Sequence, residues 1–450
     1  MPRPPKPSSR TGAEASPSNN VLLGAPGGAS ESVRAFRSPP YRLLWVSMMG
    51  ANGARWAFTM MASWLAYALT RSPFWVGITM FALQVPMIAL SPLTGVLADR
   101  IDRSRLLLVS LGVSLCAAFF VTALGITGHL TALLLVLSAF VLGLGTTVQS
   151  TAQNALLPWT VPDAALFEAV ALQGTARQGA EFVGPGLASP LQAVWGQNAA
   201  LGAVAGLFAL GALPILFLRP LRKSPGRTGR ATVRSDLEML FDGVRYVKRH
   251  RFLGPTMALI ASHCLLTMAY MGILPSLAQA DGVSGNTLYG VLMTTAGFGA
   301  VVFTVAVAFL GQRLDPGRLL WILSVLSGIG IVSLGLARTG LTLEAAGFLV
   351  GGSTAAFMAV AVLRVQRLTE DTMRGRVLSL YLMLAGGAMA LGNWFYGVVA
   401  GVLPVHLIPV ASGLAFIVLV VAGSALWAPV RAVYAQPAHD LLFRTVPVES

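Results

Sequence analysis

Three charged side chains sit where charge is expensive. Arg55 lies inside the apolar run 42–69, and Arg177 and Glu181 lie inside the run 164–190. An ionisable group at membrane depth costs about 2.5–3.5 kcal/mol on insertion scales, so these groups are expected to face a bundle interior. Gln173, Arg177 and Glu181 recur at helical spacing and so share one helix face. The chemistry open to that face is proton exchange at Glu181, with Arg177 tuning it or binding an anionic substrate group. The plainer alternative is a structural Arg177–Glu181 pair. Arg55, in Gly53-Ala54-Arg55-Trp56, can bind an acidic substrate, pair with Glu181, or act only as a snorkelling or structural cation.

Other residues could line a site. Thr146, Gln149 and Gln153 form a polar stripe late in the fourth apolar run, with Asn154 beside it. Such amides suit a cavity for a polar compound, or equally bonds between helices. Met48, Met49, Met60, Met61, Trp56 and Trp64 crowd the first run. Thioethers and aromatic faces suit a site that repacks around varied ligands, although most of these residues are expected to face lipid. The densest charge is a turn, Gly95-Val-Leu-Ala-Asp99-Arg100-Ile-Asp102-Arg103-Ser-Arg105. A carboxylate there can accept from the backbone N–H groups opening another helix and is drawn to that helix's positive end. The plainer reading is a charged turn that fixes topology.

The elements that must position these residues are membrane spans. The chain is 55% hydrophobic and only 11% charged, against about 25% charged in soluble domains. Its mean hydropathy is +0.72. Twelve apolar runs follow, near 42–69, 75–97, 105–126, 130–152, 164–190, 198–218, 253–276, 285–311, 318–337, 341–363, 376–400 and 404–428. About 20 apolar residues suffice to cross a bilayer. The net charge of +14 does not point to nucleic acid, because the basic residues lie in short loops between the runs. Alternate loops hold nineteen Lys and Arg, against only Arg71 and Arg338 in the others. The positive-inside bias then places both termini in the cytoplasm. Cys116 and Cys264 fall in apolar runs and the five histidines are scattered, so no disulfide, metal or cofactor is expected. No G-x-x-x-x-G-K-[ST] run is present, so transport driven by the chain's own ATP hydrolysis is not supported.

Five regions are predicted: a disordered cytoplasmic tail (1–40), a six-helix half (41–218), a linker (219–252), a second six-helix half (253–429) and a cytoplasmic tail (430–450). The first tail has no apolar stretch followed by a cleavage site and does not read as a signal peptide. In the linker, Leu237, Leu240, Phe241, Val244 and Val247 recur at helical spacing after a Ser235/Glu238 capping box. That predicts an amphipathic helix, lying on the membrane or packed on the protein. The halves echo each other: Gly95 and Asp99 after run two match Gly311 and Asp315 after run eight.

The turn G-x-L-A-D-R-x-x-R, spanning Gly95, Asp99, Arg100 and Arg103, resembles the loop between helices 2 and 3 of the major facilitator superfamily. The variant D-R-x-D-R, and R-G-R-V-x-S-x-Y from Arg374 through Arg376 to Tyr381, resemble the enterobactin exporter and transmembrane secretion effector branch. Gly184-Pro185-Gly186-Leu-Ala188-Ser resembles the helix 5 packing element of antiporters, with Ala188 and Ser189 where two glycines are usual. Arg55 stands near where the branch often has an acid. The resemblance covers about 42–430. It implies an all-α membrane protein of twelve helices in two pseudo-symmetric halves, with a midplane site between them. It also implies a cytoplasmic latch in which Asp99 and Arg103 meet the start of helix 11 near Arg376. The expected function is secondary export of a small molecule such as a siderophore, drug or other metabolite across the bacterial inner membrane, by proton antiport. Proton-coupled uptake and a non-transporting receptor on the same fold are the alternatives. The expected partners are substrate, protons and lipid, with no nucleic acid, and the chain is expected to be a monomer and not an enzyme.

Overall fold

The computed structural model describes residues 34–218, 242–280, 285–310, 314–370, 372–426, 431 and 433–434. Side chains are described for these except at 91–100, 163, 167, 171, 280, 285–286 and 310. Most of both predicted tails and linker residues 219–241, with Leu237, Leu240 and Phe241, lie outside the described residues, as does Gly311.

No strand occurs among the described residues. The helices are α1 (Pro39–Thr70), α2 (Pro73–Arg100), α3 (Arg103–Thr127), α4 (Ala132–Thr160), α5 (Leu166–Trp195) and α6 (Gln197–Leu216). Then come α7, described over 242–249, α8 (Leu253–Leu266), α9 (Leu274–Ala280), α10 (Gly285–Leu310), α11 (Pro316–Leu336), α12 (Gly340–Leu368), α13 (Arg374–Val399) and α14 (Leu407–Leu426). Local chemistry sets their ends. Asp102 accepts from the Arg105 N–H and starts α3, and Gly128 at φ +73° ends it. Thr339 and Thr342 close a reciprocal cap on α12.

Among the described residues, ten helical segments are long and apolar enough to cross a membrane. The sequence predicts twelve spans, and the two that do not qualify are α1 and α5. Both are long, at 32 and 30 residues. Their mean hydropathy is lowered by the same Arg, Glu and Gln residues that make them candidates for chemistry. α1 packs against α2, α4, α5 and α6, and many of its residues are buried. Met48, Met60 and Met61 are among them, at 1% exposure or less. They are core, and the expectation that most of this cluster faces lipid does not hold for them.

Small residues set the closest approaches, as they do where apolar area alone cannot hold helices together. Gly184 of α5 lies against the Gly53 carbonyl of α1, and Gly143 of α4 against the Leu83 carbonyl of α2. The seventh run is not one helix. α8 stops at Leu266, a 3-10 turn spans Ala269–Gly272, and α9 resumes at Leu274. Pro275 has no N–H to give a preceding carbonyl, and Gly272 sits against the Asn393 carbonyl of α13. Of the two placements open to the linker helix, α7 packs on the protein. Val247 is buried against a cluster with Leu253 and Met257, and Arg376 of α13 donates to Asp242 at 3.3 Å.

Candidate functional site

α1 and α5 cross at Gly53 and Gly184, and Met49 reaches Gly179 along the same seam. That crossing brings Arg55, two residues beyond Gly53, within electrostatic reach of both Arg177 and Glu181. Arg55 and Glu181 are half-buried and Arg177 is exposed. Their neighbours come from several sides of the bundle. Tyr270, in the break between α8 and α9, is within electrostatic reach of Glu181 and of Tyr289 on α10. Arg177 of α5 in turn has a phenol of α13, Tyr381, in electrostatic reach.

α10 closes one wall. Its Gly297 admits the Glu181 carbonyl and Phe182, where a Cβ would stand 2.6 Å from that oxygen. The Gln178 amide donates to the Thr304 hydroxyl at 3.4 Å. At one end of the bundle the wall becomes a plug. The Ser63 and Tyr289 hydroxyls are hydrogen-bonded, and the Trp64 ring stacks on Tyr289 with centroids 5.8 Å apart. Arg71 donates to the Gln279 side-chain amide oxygen, Oε1, at 2.6 Å. Gly77 and Gly397 hold α2 against α13 near the same end.

The remaining candidates lie elsewhere. Gln149 and Gln153 are 2% and 3% exposed. The Gln149 Oε1 and Gln153 Nε2 atoms have no partner among the described residues. Asn154 accepts from Gln173 at 2.6 Å, joining α4 to α5. At the opposite end, Gly95, Asp99 and Arg100 lie in the last turns of α2, and their side chains are outside the described set. Arg103 turns to α4, donating to the Ala155 carbonyl at 3.3 Å and stacking over Trp159. Arg376 pairs with Asp242, as above. A cavity of about 570 Å³, lined by apolar residues such as Leu391, Trp394 and Phe395, lies between α8, α13 and α14 and contains none of these groups.

Sequence reasoning did not select Tyr270, Tyr289 or Ser63. A single phenol or hydroxyl in an apolar run carries no spacing signal. Their meeting depends on helices more than two hundred residues apart, with 226 between Ser63 and Tyr289.

A family model described as transmembrane secretion effector matches residues 30–442. The staphyloferrin A transporter of Staphylococcus aureus (strain NCTC 8325 / PS 47) is 23% identical over 364 residues, 80% of this chain and 86% of that protein. An uncharacterised MFS-type transporter of Sinorhizobium fredii (strain NBRC 101917 / NGR234) is 26% identical over 349 residues, 74% of this chain and 82% of that one. Among solved structures, the nucleoside transporter NupG superposes with a TM-score of 0.65 at 14% identity, covering 88% of this chain and 99% of that one. A D-xylose–proton symporter does so with a TM-score of 0.63 at 15% identity, covering 84% and 96%. At such identities the structural likeness concerns fold alone.

Proposed function

Because the chain belongs to the transmembrane secretion effector family of major facilitator transporters, we propose that it moves a small molecule across the bacterial inner membrane by alternating access. In this reading α1–α6 form one half. The other is formed by α8 with α9 as one broken span, together with α10–α14. The segment 219–252 joins them, and both termini are cytoplasmic. The observation that carries the reading is the meeting of Arg55, Arg177 and Glu181 with Tyr270 and Tyr381. It puts charged residues of one proposed half within electrostatic reach of residues of the other. A midplane site at such a boundary is where a transporter of this architecture binds its cargo.

The Ser63–Tyr289–Trp64 plug closes the external side. Asp99, with Gly95, Arg100 and Arg103, forms the cytoplasmic latch and takes the start of α13 when the molecule turns outward. In this reading the closed plug leaves the site facing the cytoplasm. Export by proton antiport is supported by the motifs at Gly95–Arg103, Gly184-Pro185 and Arg374–Tyr381. Proton-coupled uptake is a second reading, favoured by the charge balance of two arginines to one carboxylate.

One comparison tests this directly: metabolites inside and outside cells with the gene deleted, restored, or restored as Asp99→Asn. The expected result is one compound that builds up inside the deletion strain, is cleared by the intact gene, and is cleared at least about tenfold more slowly by Asp99→Asn, as loss of a charge-assisted contact predicts. A compound that instead stays outside the deletion strain makes the direction uptake. Equal behaviour of the intact and Asp99→Asn genes removes the latch.

A further inference from the structure

We propose that the molecule carried is an anion, its carboxylate or phosphate held by Arg177 and Arg55, and that it binds together with a proton on Glu181. This rests on reading the α1–α5–α13 constellation as the substrate site of a secondary transporter.

The argument begins with a count of charge by depth. Of the chain's seventeen acidic residues, Glu181 alone lies more than two turns inside a described helix. Asp99, Glu168 and Glu344 sit at or near helix ends. Among lysines and arginines, only Arg55 and Arg177 lie that deep. At that depth the described helices hold two guanidiniums and one carboxylate; Arg364, also buried, lies four residues from the end of α12. Among the long helices packed on α5 nothing redresses the difference, and the short turns Ala35–Arg37 and Asp163–Ala165 add Arg37 and Asp163 only by the first turn of α5. α4, α6 and α10 contribute no Asp, Glu, Lys, Arg or His. α1 contributes Arg55, with Tyr41, Arg42 and Tyr67 toward its ends. The phenols in electrostatic reach of these groups are Tyr270, near Glu181, and Tyr381, near Arg177. The base on α8, His263, is buried elsewhere, bonded to Ser327 and stacked on Phe357.

Position divides the two arginines. Arg55 has Glu181 in reach, whereas no carboxylate among the described residues pairs with Arg177. Arg177 is also the exposed member of the three. A guanidinium offers a planar fork of donors that fits carboxylate or phosphate with two parallel bonds. An incoming anion supplies the charge the fold omits.

The same geometry fixes the sign of coupling. With Glu181 ionised, Arg55 is half-neutralised by it and only Arg177 is wholly available. A proton on Glu181 releases Arg55, and both cations then face the anion. Each ligand thus strengthens the other, and the reciprocal effect is equal in size. An antiporter needs the opposite sign, so this linkage belongs to the uptake reading, and an anion that builds up inside the deletion strain overturns it.

The test begins with the compounds whose distribution follows the gene, sorted by net charge at neutral pH. Each then serves as the probe on the purified full-length protein. The expected compounds are anions. Arg177→Gln should weaken their binding by about tenfold or more, the cost of losing a charged hydrogen-bond partner, and Arg177→Lys should recover part of it. Affinity should rise as pH falls, and that rise should be absent in Glu181→Gln. Neutral or cationic compounds, or unchanged binding in Arg177→Gln, overturn the anion assignment while leaving the transporter reading intact. Affinity that is flat or rises with pH overturns the shared binding of anion and proton. If no compound follows the gene and none binds the purified protein, the transporter reading fails as well.

Discussion

Glu181→Gln is expected to give a folded protein that exchanges its substrate across a membrane but no longer concentrates it against a pH difference. The substitution keeps shape and hydrogen-bonding capacity and removes only the proton site. For one proton per cycle, a difference of one pH unit supports about a tenfold concentration ratio, since one unit is worth about 1.36 kcal/mol. The intact protein in vesicles should approach that ratio, and the variant should stay near unity. Exchange of labelled for unlabelled substrate without a gradient should continue in both, because the two conformations and the arginine contacts remain. Stability is expected to fall by about 1–3 kcal/mol, the usual cost of leaving a charged partner unmatched. The lower part of that range applies because Arg55 is half-buried and water can reach it. Retained tenfold concentration by Glu181→Gln would return the residue to the role of structural partner for Arg55. Loss of exchange along with coupling would make it a substrate contact and not a proton carrier.

Much of this candidate site is legible in the sequence because the bilayer penalises charge. Arg55, Arg177 and Glu181 stand out against apolar runs, and that penalty directs them inward before any helix is placed. The same polarity hides α1 and α5 from a hydropathy criterion, so the helices that carry the site are the ones composition supports least. Boundaries were read well where an apolar run ends at a cap, as at Asp102 and Gly128. They were read poorly where polarity rises inside a helix. α4 continues to Thr160, past Gln149, Gln153 and Asn154, because a helix satisfies its own backbone whatever its side chains are. The break between α8 and α9 had a signal in Pro275, but one proline in a transmembrane run is tolerated too often to mark a break by itself. The tyrosines were not legible, since which phenol faces a charge is settled by packing between distant helices.

Gly77→Leu and Gly184→Leu commit similar steric offences and are expected to fail in different ways. A Cβ at Gly77 would stand 2.5 Å from the Asn393 carbonyl oxygen and 3.0 Å from the Gly397 Cα, at the contact of α2 with α13. A Cβ at Gly184 would meet the Gly53 carbonyl and stand 3.0 Å from the Ala57 nitrogen, at the contact of α1 with α5. In the proposed architecture, α1 and α5 belong to one half and stay packed throughout the cycle. Overpacking there costs about 1–3 kcal/mol or more with no conformation that avoids it, so Gly184→Leu should sharply lower the yield of monodisperse protein. α2 and α13 belong to opposite halves and must part when the external side opens. Gly77→Leu should therefore leave yield and thermal midpoint near those of the unaltered protein, while biasing it toward the state in which that contact is open. With Cys116 and Cys264 replaced, a cysteine at Ser63, buried at 1% exposure here, reports the difference. A membrane-impermeant maleimide should label it slowly in the parent and at least about tenfold faster with Gly77→Leu, since a bias of about 1.4 kcal/mol shifts a two-state population tenfold. Transport should fall in parallel, because a molecule that cannot close outside cannot complete a cycle. If Gly77→Leu instead destroys the folded protein as Gly184→Leu does, the α2–α13 contact is permanent and the division into two moving halves is wrong.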